Sequence, residues 1–447
     1  MRAQGIVLPG AQTMQANVSD PLADVVVRCM DCGEAYSGAA AITGCQVCGG
    51  LLDVEVPLDR RLSPADLGEG VPDRGRHSGV WRYWPLLPHL PEESIVSNWE
   101  GNTPIFRDDR LTRFAGLGDG QLELKHEGHN PTGSFKDRGM TVGVSHARAI
   151  GARIVACAST GNTSASLAAY AAAAGMPSLV FVPEGKIASG KLAQTIAYGA
   201  TVIQIDGDFD QALGLLRQLT TKHDVYLVNS VNPFRLEGQK TIVFELIEQR
   251  DWNVPDWIVL PGGNLGNTAA FGKALSELLA VGLIDRLPKL AVIQAAGAAP
   301  FSAYFHSGFE EFEPVQAETM ATAIKIGNPA STARARRSVT STNGWVTGVS
   351  DDEILDAKAA IDRSGIGCEP ASAASLAGLR SLVNDGVIRP HETAVAVLTG
   401  HVLKDPEAVI SYHLMPEESP RDGANRPIRV DADLPALERV LADALHG

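Results

Sequence analysis

The chain has 447 residues, 45% of them hydrophobic and 20% charged, with a formal net charge of −14. It is long enough for two or three domains and apolar enough to bury a large core. The acidic balance argues against a nucleic-acid binder, which must set positive charge against phosphates, yet leaves room for an anionic small substrate in a locally basic site. No stretch reaches the roughly 18 unbroken apolar residues of a membrane helix, and "MRAQGIVLPGAQTMQ" lacks the apolar run of a signal peptide, so a cytoplasmic protein is expected.

Residues 1–22 read as a flexible tail. Residues 23–57 contain "VVVRC" and "CGGLLDVEV", two short strands around the pairs "CMDC" (Cys29, Cys32) and "CQVC" (Cys45, Cys48). In a reducing compartment such pairs read as metal knuckles before disulfides. Four thiolates hold zinc tetrahedrally and leave no open position for catalysis. Gly33 and Gly49 follow the pairs and let the backbone turn around the ion. A zinc-ribbon-like module is therefore expected here; a metal-free hairpin or a redox pair are the alternatives. Residues 58–100, rich in Pro, Gly and aromatics ("SGVWRYWPLLPHLPEE"), read as a linker wrapping onto the body.

From Glu100 short apolar strands alternate with helices: "LELKHE", "RIVACAS", "SLVFVP", "TVIQID", "YLVN", "WIVLPGG", "LAVIQA" and "TAVAVLTG". Alternation implies an α/β fold of parallel sheets covered on both faces, with ligands in the loops at the carboxyl ends of strands. Residues 101–418 form the expected catalytic region, with a smaller subdomain over roughly 139–240. Residues 419–447 read as a polar linker, a short strand and an amphipathic helix.

Four of the strand-end loops carry unusual residues. In "HNPTGSFKDRGM", Ser134 fits a helix cap with Asp137 bonding back, which makes Lys136 the second helical residue. The helix dipole and a desolvated cleft disfavour its charged form, and a neutral amine is what a Schiff base with an aldehyde requires; otherwise Lys136 is a solvated lysine in a first turn. "GGNLGN" (Gly262 to Asn267) precedes a helix, lacks a Walker lysine and lacks dinucleotide spacing. Its N–H groups suit one phosphate at a helix N-terminus, such as a cofactor monoester, or it is simply a tight turn. In "STGNTSAS", Asn162 suits a phenolic oxygen and Ser159 and Thr163 an anion, or they cap a helix. Thr399 ends "AVAVL" and faces an aromatic nitrogen or nothing in particular. A further loop, "NSVNPFRLEGQK", offers Asn229, Ser230 and Arg235, the last suited to bidentate phosphate binding, or it is a surface loop. Cys157 and Cys368 read as packed small hydrophobes. No Ser-His-Asp set, nucleophile elbow or HExxH is visible.

Together "EGNTPI", "NPTGSFKDRG", "STGNTSAS", "NSVNPFRLEGQK", "PGGNLGN", "ATAIKIGNPAS", "CEPASAAS" and "LTGHVLKDP" resemble the tryptophan-synthase-β-like family, the fold type II enzymes of pyridoxal 5′-phosphate. Within it they resemble the branch of threonine synthases with an N-terminal zinc-ribbon-like extension. The resemblance spans roughly residues 25–410, and "PTGSFKDRG" is its most specific motif. It implies two parallel-sheet α/β subdomains with the cofactor in the cleft between them. It makes Lys136 the catalytic Schiff-base lysine, puts Asn162 on the cofactor's 3-oxygen, the backbone of Gly263, Asn264, Leu265, Gly266 and Asn267 on its phosphate, and Thr399 on its pyridine nitrogen. That hydroxyl, unlike a carboxylate, does not enforce a protonated ring. Ser159, Thr163, Asn229, Ser230 and Arg235 fall where a substrate phosphate binds. The implied reaction is γ-elimination of phosphate and β-addition of water, taking O-phospho-L-homoserine to L-threonine, the last step of threonine biosynthesis, in a homodimer. Val402 and Lys325 stand where the family often has Gly and Arg, which blurs substrate identity. A paralogue such as cysteate synthase, a threonine or serine dehydratase, and a non-catalytic pyridoxal-phosphate-binding protein are the other readings.

Overall fold

The computed structural model describes residues 22, 24–58, 60–184, 189–207, 209–414 and 424–446. The stretch read as a tail lies outside them except for Leu22, which is buried. The cysteine segment forms β1 (Val26–Cys29), β2 (Ala35–Ser37) and β3 (Leu52–Glu55), antiparallel in the order β2-β1-β3. Val27, Cys29, Leu52 and Val54 alternate inward, the period of two that a strand imposes. There is one strand more than expected, because β2 buries none of its three residues and so leaves no apolar signature.

The body holds β4 (Ile105–Phe106), β5 (Leu122–His126), β6 (Ile154–Ala158), β7 (Ser178–Pro183), β8 (Thr201–Ile205), β9 (Val225–Leu227), β10 (Trp257–Pro261), β11 (Lys289–Ala295), β12 (Trp345–Val349) and β13 (Ala394–Leu398). They make a six-stranded sheet, β12-β11-β10-β13-β5-β4, and a four-stranded sheet, β8-β7-β6-β9. All neighbours are parallel except β4 on β5. β5, β10 and β13 are buried along their whole length, as parallel strands covered on both faces must be. The eight strand motifs read from the sequence all form strands. β4 and β12 were not among them: β4 has only two residues, and β12 is an edge strand whose Thr347 and Gly348 are half-buried, so its pattern is weak. At the other end a helix, Leu434–His446, forms as expected, whereas no strand forms at residues 428–430, where Ile428 is 70% exposed and has no sheet edge to join.

Two features place the site. First, the helices Lys136–Ala149 and Pro233–Glu248 touch backbone to backbone. A Cβ on Gly238 would overlap the Arg138 carbonyl, and one on Gly139 would lie 2.8 Å from the Arg235 carbonyl oxygen, so "KDRG" and "RLEG" need their glycines. Second, a buried ion network ties these helices to β5. Arg138 bonds Glu127 at 2.6 Å and Glu245 at 2.8 Å, and Lys125 bonds Glu245 at 2.6 Å. Such networks add little net stability, but removing one member strands a buried charge at a cost of about 3–5 kcal/mol.

The ribbon is clamped to the same framework. Lys273 Nζ donates to Val54 O at 2.7 Å, Arg337 and Arg334 bond Asp53 at 2.6 and 3.2 Å, and His146 Nε2 lies 2.6 Å from Gly38 O. A carbonyl only accepts, so Nε2 carries the proton and Nδ1 accepts from the Tyr226 hydroxyl. Burial pushes His146 down to about 4, which keeps that tautomer neutral. Trp81, Leu87 and Ile95 of the 58–100 segment join the ribbon's core, while Leu67, Tyr83 and Leu86 join that of the large sheet. Among the described residues no helix is long and apolar enough to cross a membrane.

Candidate active site

The loop after β5 lies antiparallel against the end of β13. Phe135 N donates to Thr399 O at 3.0 Å, His401 N donates to Gly133 O at 2.9 Å, and Ser134 bridges Gly400. Gly133, at φ +82°, makes the turn that brings the chain there. The expected capping box does not form. Phe135 is the N-cap, Lys136 is the first rather than the second helical residue, and the Ser134 hydroxyl has no partner. Asp137 accepts instead from Thr132 N (2.7 Å), Thr132 Oγ1 (2.6 Å) and Ser166 Oγ (2.6 Å). The bridge to Gly400 fixes Ser134 on the strand end, and Thr132 reaches the carboxylate first. Lys136 is thus delivered half-buried, its ammonium 4.0 Å over the ring of Phe135. Burial, and then the positive charge of Arg235, bring its pKa down to about 7, with Glu369 opposing. A large share of the amine is neutral near neutral pH.

Asn162 and Thr399, from the small and large sheets, meet on one carboxylate. Glu369 accepts from Asn162 Nδ2 at 2.9 Å and from Thr399 Oγ1 at 3.4 Å. It is buried and stands at the N-cap position of the helix Pro370–Asn384 without a side-chain cap bond. Burial raises its pKa, against the Asn162 bond and the charges of Lys404 and Lys136. Sequence reasoning missed Glu369, although it stands in "CEPASAAS". An acid before a proline at the start of an apolar helix reads as a helix signal, and nothing local reveals which side chains it meets.

The glycine loop leads into the helix Gly266–Val281 without any side-chain cap, through Leu265 at φ +62°. No turn or cap bond among the described residues takes the N–H groups of residues 263–267. At it Asn267 Oδ1, Thr268 Oγ1 and Ser331 Oγ are buried without partners, Ser331 N donating to Asn264 O at 3.2 Å. Buried polar groups rarely stay unpaired. A phosphate at an uncapped helix start, ringed by hydroxyls, is what such a set fits, so the residues present suit the monoester of pyridoxal phosphate.

Arg235 lies on the helix Pro233–Glu248, its side chain running past Gly143, near enough for its charge to act on Lys136. Nη1 donates to Val228 O at 3.0 Å, while Nε and Nη2 are buried and unpaired. Desolvation brings its pKa down to about 10. Ser159, Thr163 and Ser230 are half-buried at the ends of β6 and β9. The Asn229 amide, by contrast, is half used by the backbone: it accepts from Ala158 N and donates to Ala158 O, both at 3.0 Å, and so pins the two strand ends together. Cys157 and Cys368 are fully buried in the cores.

Apart from the cleft, the Sγ atoms of Cys29, Cys32, Cys45 and Cys48 all lie within 4.8 Å of one another, three pairs at 3.5–3.6 Å. Zn–S bonds of about 2.3 Å in a tetrahedron set sulfurs about 3.8 Å apart, so the cluster could hold zinc. Gly33 and Gly49 both sit at φ +76°, where a side chain would strain the knuckle.

A charge-suppressed lysine at a strand end, together with an uncapped helix terminus suited to a phosphate, is what a pyridoxal-phosphate enzyme needs. The family model described as pyridoxal-phosphate dependent enzyme matches residues 96–400. The threonine synthase of Methanocaldococcus jannaschii is 45% identical over 93% of this chain and 99% of its own length. That of Mycobacterium bovis is 47% identical over 76% and 91%. Among solved structures, Escherichia coli threonine synthase matches the fold with a TM-score of 0.67 at 19% identity, over 94% of this chain and 100% of that one. The chain belongs to the pyridoxal-phosphate dependent enzymes and, within them, to the threonine synthases.

Proposed function

We propose that the protein converts O-phospho-L-homoserine and water to L-threonine and phosphate, with Lys136 as its catalytic residue. Pyridoxal phosphate, when bound, supplies the electron sink. The N–H groups of Gly263, Asn264, Leu265, Gly266 and Asn267 hold its phosphate, Asn162 its 3-oxygen, and Thr399 its ring nitrogen. Lys136, neutral in good part near pH 7, takes the Cα proton of the substrate and moves protons at the neighbouring carbons. Arg235 grips the substrate phosphate through Nε and Nη2 and keeps hold of it as it leaves from Cγ. Ser159, Thr163 and Ser230 complete that pocket, and Asn229 sets its width by joining β6 to β9. The carboxyl ends of the strands then exclude bulk water while one water adds at Cβ.

The observation that carries this reading is the pair of buried, unpartnered Arg235 donors, near enough for the arginine's charge to lower the Lys136 pKa. A site that only dehydrated serine or threonine would have no use for a second anion position next to that of the cofactor. The cysteine module over residues 23–57 is structural, with zinc on Cys29, Cys32, Cys45 and Cys48. A homodimer and a cytoplasmic location belong to the same reading. The test is phosphate release from O-phospho-L-homoserine, with threonine identified by chromatography. Sulfite incorporation would identify a cysteate synthase, a keto acid formed from L-threonine or L-serine a dehydratase, and absence of any turnover a binding protein; each would overturn the proposal.

A further inference from the structure

The hydroxyl of Thr399 carries one proton, and its surroundings restrict where that proton points. Ser372 Oγ accepts from the N–H groups of Thr399 (2.8 Å) and Gly400 (2.9 Å). Both of its lone pairs are then used, so its own O–H donates, and of its two acceptors Thr399 Oγ1 at 3.0 Å is nearer than Gly400 O at 3.4 Å. Receiving that bond, Thr399 is left with one lone pair and its proton. Glu369 Oε1 sits 3.4 Å from it. Glu369 cannot swing aside: its N–H donates to Gly400 O at 3.0 Å, Oε2 accepts from Asn162 at 2.9 Å, and the carboxyl lies so close over Gly400 that a Cβ there would overlap it. Ser372, Thr399 and Glu369 therefore form a directed chain ending at a buried carboxyl.

Such a chain has two states toward a ring nitrogen placed against Thr399. With Glu369 ionised, Thr399 donates to it and offers the cleft a lone pair, which only an N–H can use. With Glu369 protonated, its O–H donates to Thr399, and Thr399 donates to a bare nitrogen. Passage between them breaks the ring N–H bond as a new Thr399 O–H bond forms, while the old Thr399 O–H bond breaks as a Glu369 O–H bond forms. One proton moves in net terms, and the summed charge of ring and carboxyl is unchanged. We propose that Glu369 is a positioning residue that acts through Thr399 to share a proton with the cofactor's ring nitrogen, so that the resting ring already carries part of that proton when negative charge builds on it. Burial favours the protonated acid, while Asn162, Lys404 and Lys136 favour the carboxylate, so neither state is far out of reach. The inference rests on the reading of Thr399 as the neighbour of the ring nitrogen.

The test is the chemical shift of ring-¹⁵N-labelled pyridoxal phosphate in the holoenzyme. The wild-type resonance is expected away from the bare-pyridine position. Glu369→Gln, which cannot take up the proton, should move it to that position and lower kcat about tenfold with KM little changed, an effect on the order of 1.4 kcal/mol; Glu369→Asp should restore it in part. A wild-type resonance already at the bare position overturns the proposal without any variant. So does a resonance that Thr399→Ala moves and Glu369→Gln does not, in which case the placement of Thr399 stands. If neither variant moves it, the placement of Thr399 falls and the proposal with it.

Discussion

The ribbon and the cleft gather their groups in opposite ways. The four thiols come from two tetrapeptides close in sequence, and each knuckle is shaped by its own glycine at φ +76°. In the cleft, Lys136, Asn162, Arg235, Glu369 and Thr399 come from five separate elements of two sheets. They meet only because Gly139 and Gly238 let two helices touch and because Arg138 is held by two buried carboxylates. Local closure makes a part that props the body. Tertiary closure makes a part in which single side chains carry the chemistry. Substitutions in the cleft should therefore remove activity and spare the fold, and those at the ribbon contacts should do the reverse.

The largest effect expected is at Lys136. Lys136→Ala should lower turnover by about 10³-fold or more, the range of a lost acid–base group, with a melting temperature near that of the wild type. Borohydride reduction of the holoenzyme followed by peptide mapping should tag Lys136. A label on another lysine would break the cleft half of the comparison.

Arg235→Ala comes next. Removing a buried, charge-assisted donor pair from a phosphate costs about 1.5–3 kcal/mol per hydrogen bond, so kcat/KM for the phosphorylated substrate should fall at least tenfold. Inhibition by inorganic phosphate should weaken in parallel, and turnover of an unphosphorylated analogue should change little. An equal loss for both substrates would show that the arginine acts on packing rather than on phosphate.

The ribbon contacts should behave otherwise. Asp53→Ala leaves the buried Arg334 without its carboxylate, a loss of about 1–3 kcal/mol. Thermal melting should register it, while KM stays where it was. A change in KM with no change in melting would mean that the ribbon reaches into the cleft chemistry and is more than a prop.

The same contrast explains what could be read in advance. The cysteine spacing and the periodicity of eight strands are local, and each appears in a window of a few residues. The helix cap at Ser134 was misread for a tertiary reason: the bridge to Gly400 holds Ser134 on the strand end, and Thr132 takes the carboxylate meant to complete the box. Asn229 looked like a ligand because its amide is polar and at a strand end, and a backbone two strands' sequence away takes one donor and one acceptor position of that amide. Glu369 was silent because its partners lie far upstream and downstream of it. Motif resemblance located the cleft; only packing could say which of its groups remain unpaired.

The pH dependence of cofactor capture is the smallest effect and the finest probe of that packing. Attack on the aldehyde needs the neutral amine. Because burial and Arg235 bring Lys136 from its ordinary 10.5 down to about 7, the neutral form should dominate above about 7, and capture by apoenzyme should level off there. Below that value each unit of falling pH should slow capture about tenfold, since the ammonium population grows in that proportion. Stopped-flow absorbance from about pH 5.5 to about 8.5, on both sides of the depressed amine, would trace the curve. Arg235→Met should move the midpoint upward, because it removes a positive neighbour while leaving the burial in place. A wild-type rate still climbing tenfold per unit at the alkaline end would mean the two helices do not suppress the charge, and the cleft would lose the feature that sets it apart from the ribbon.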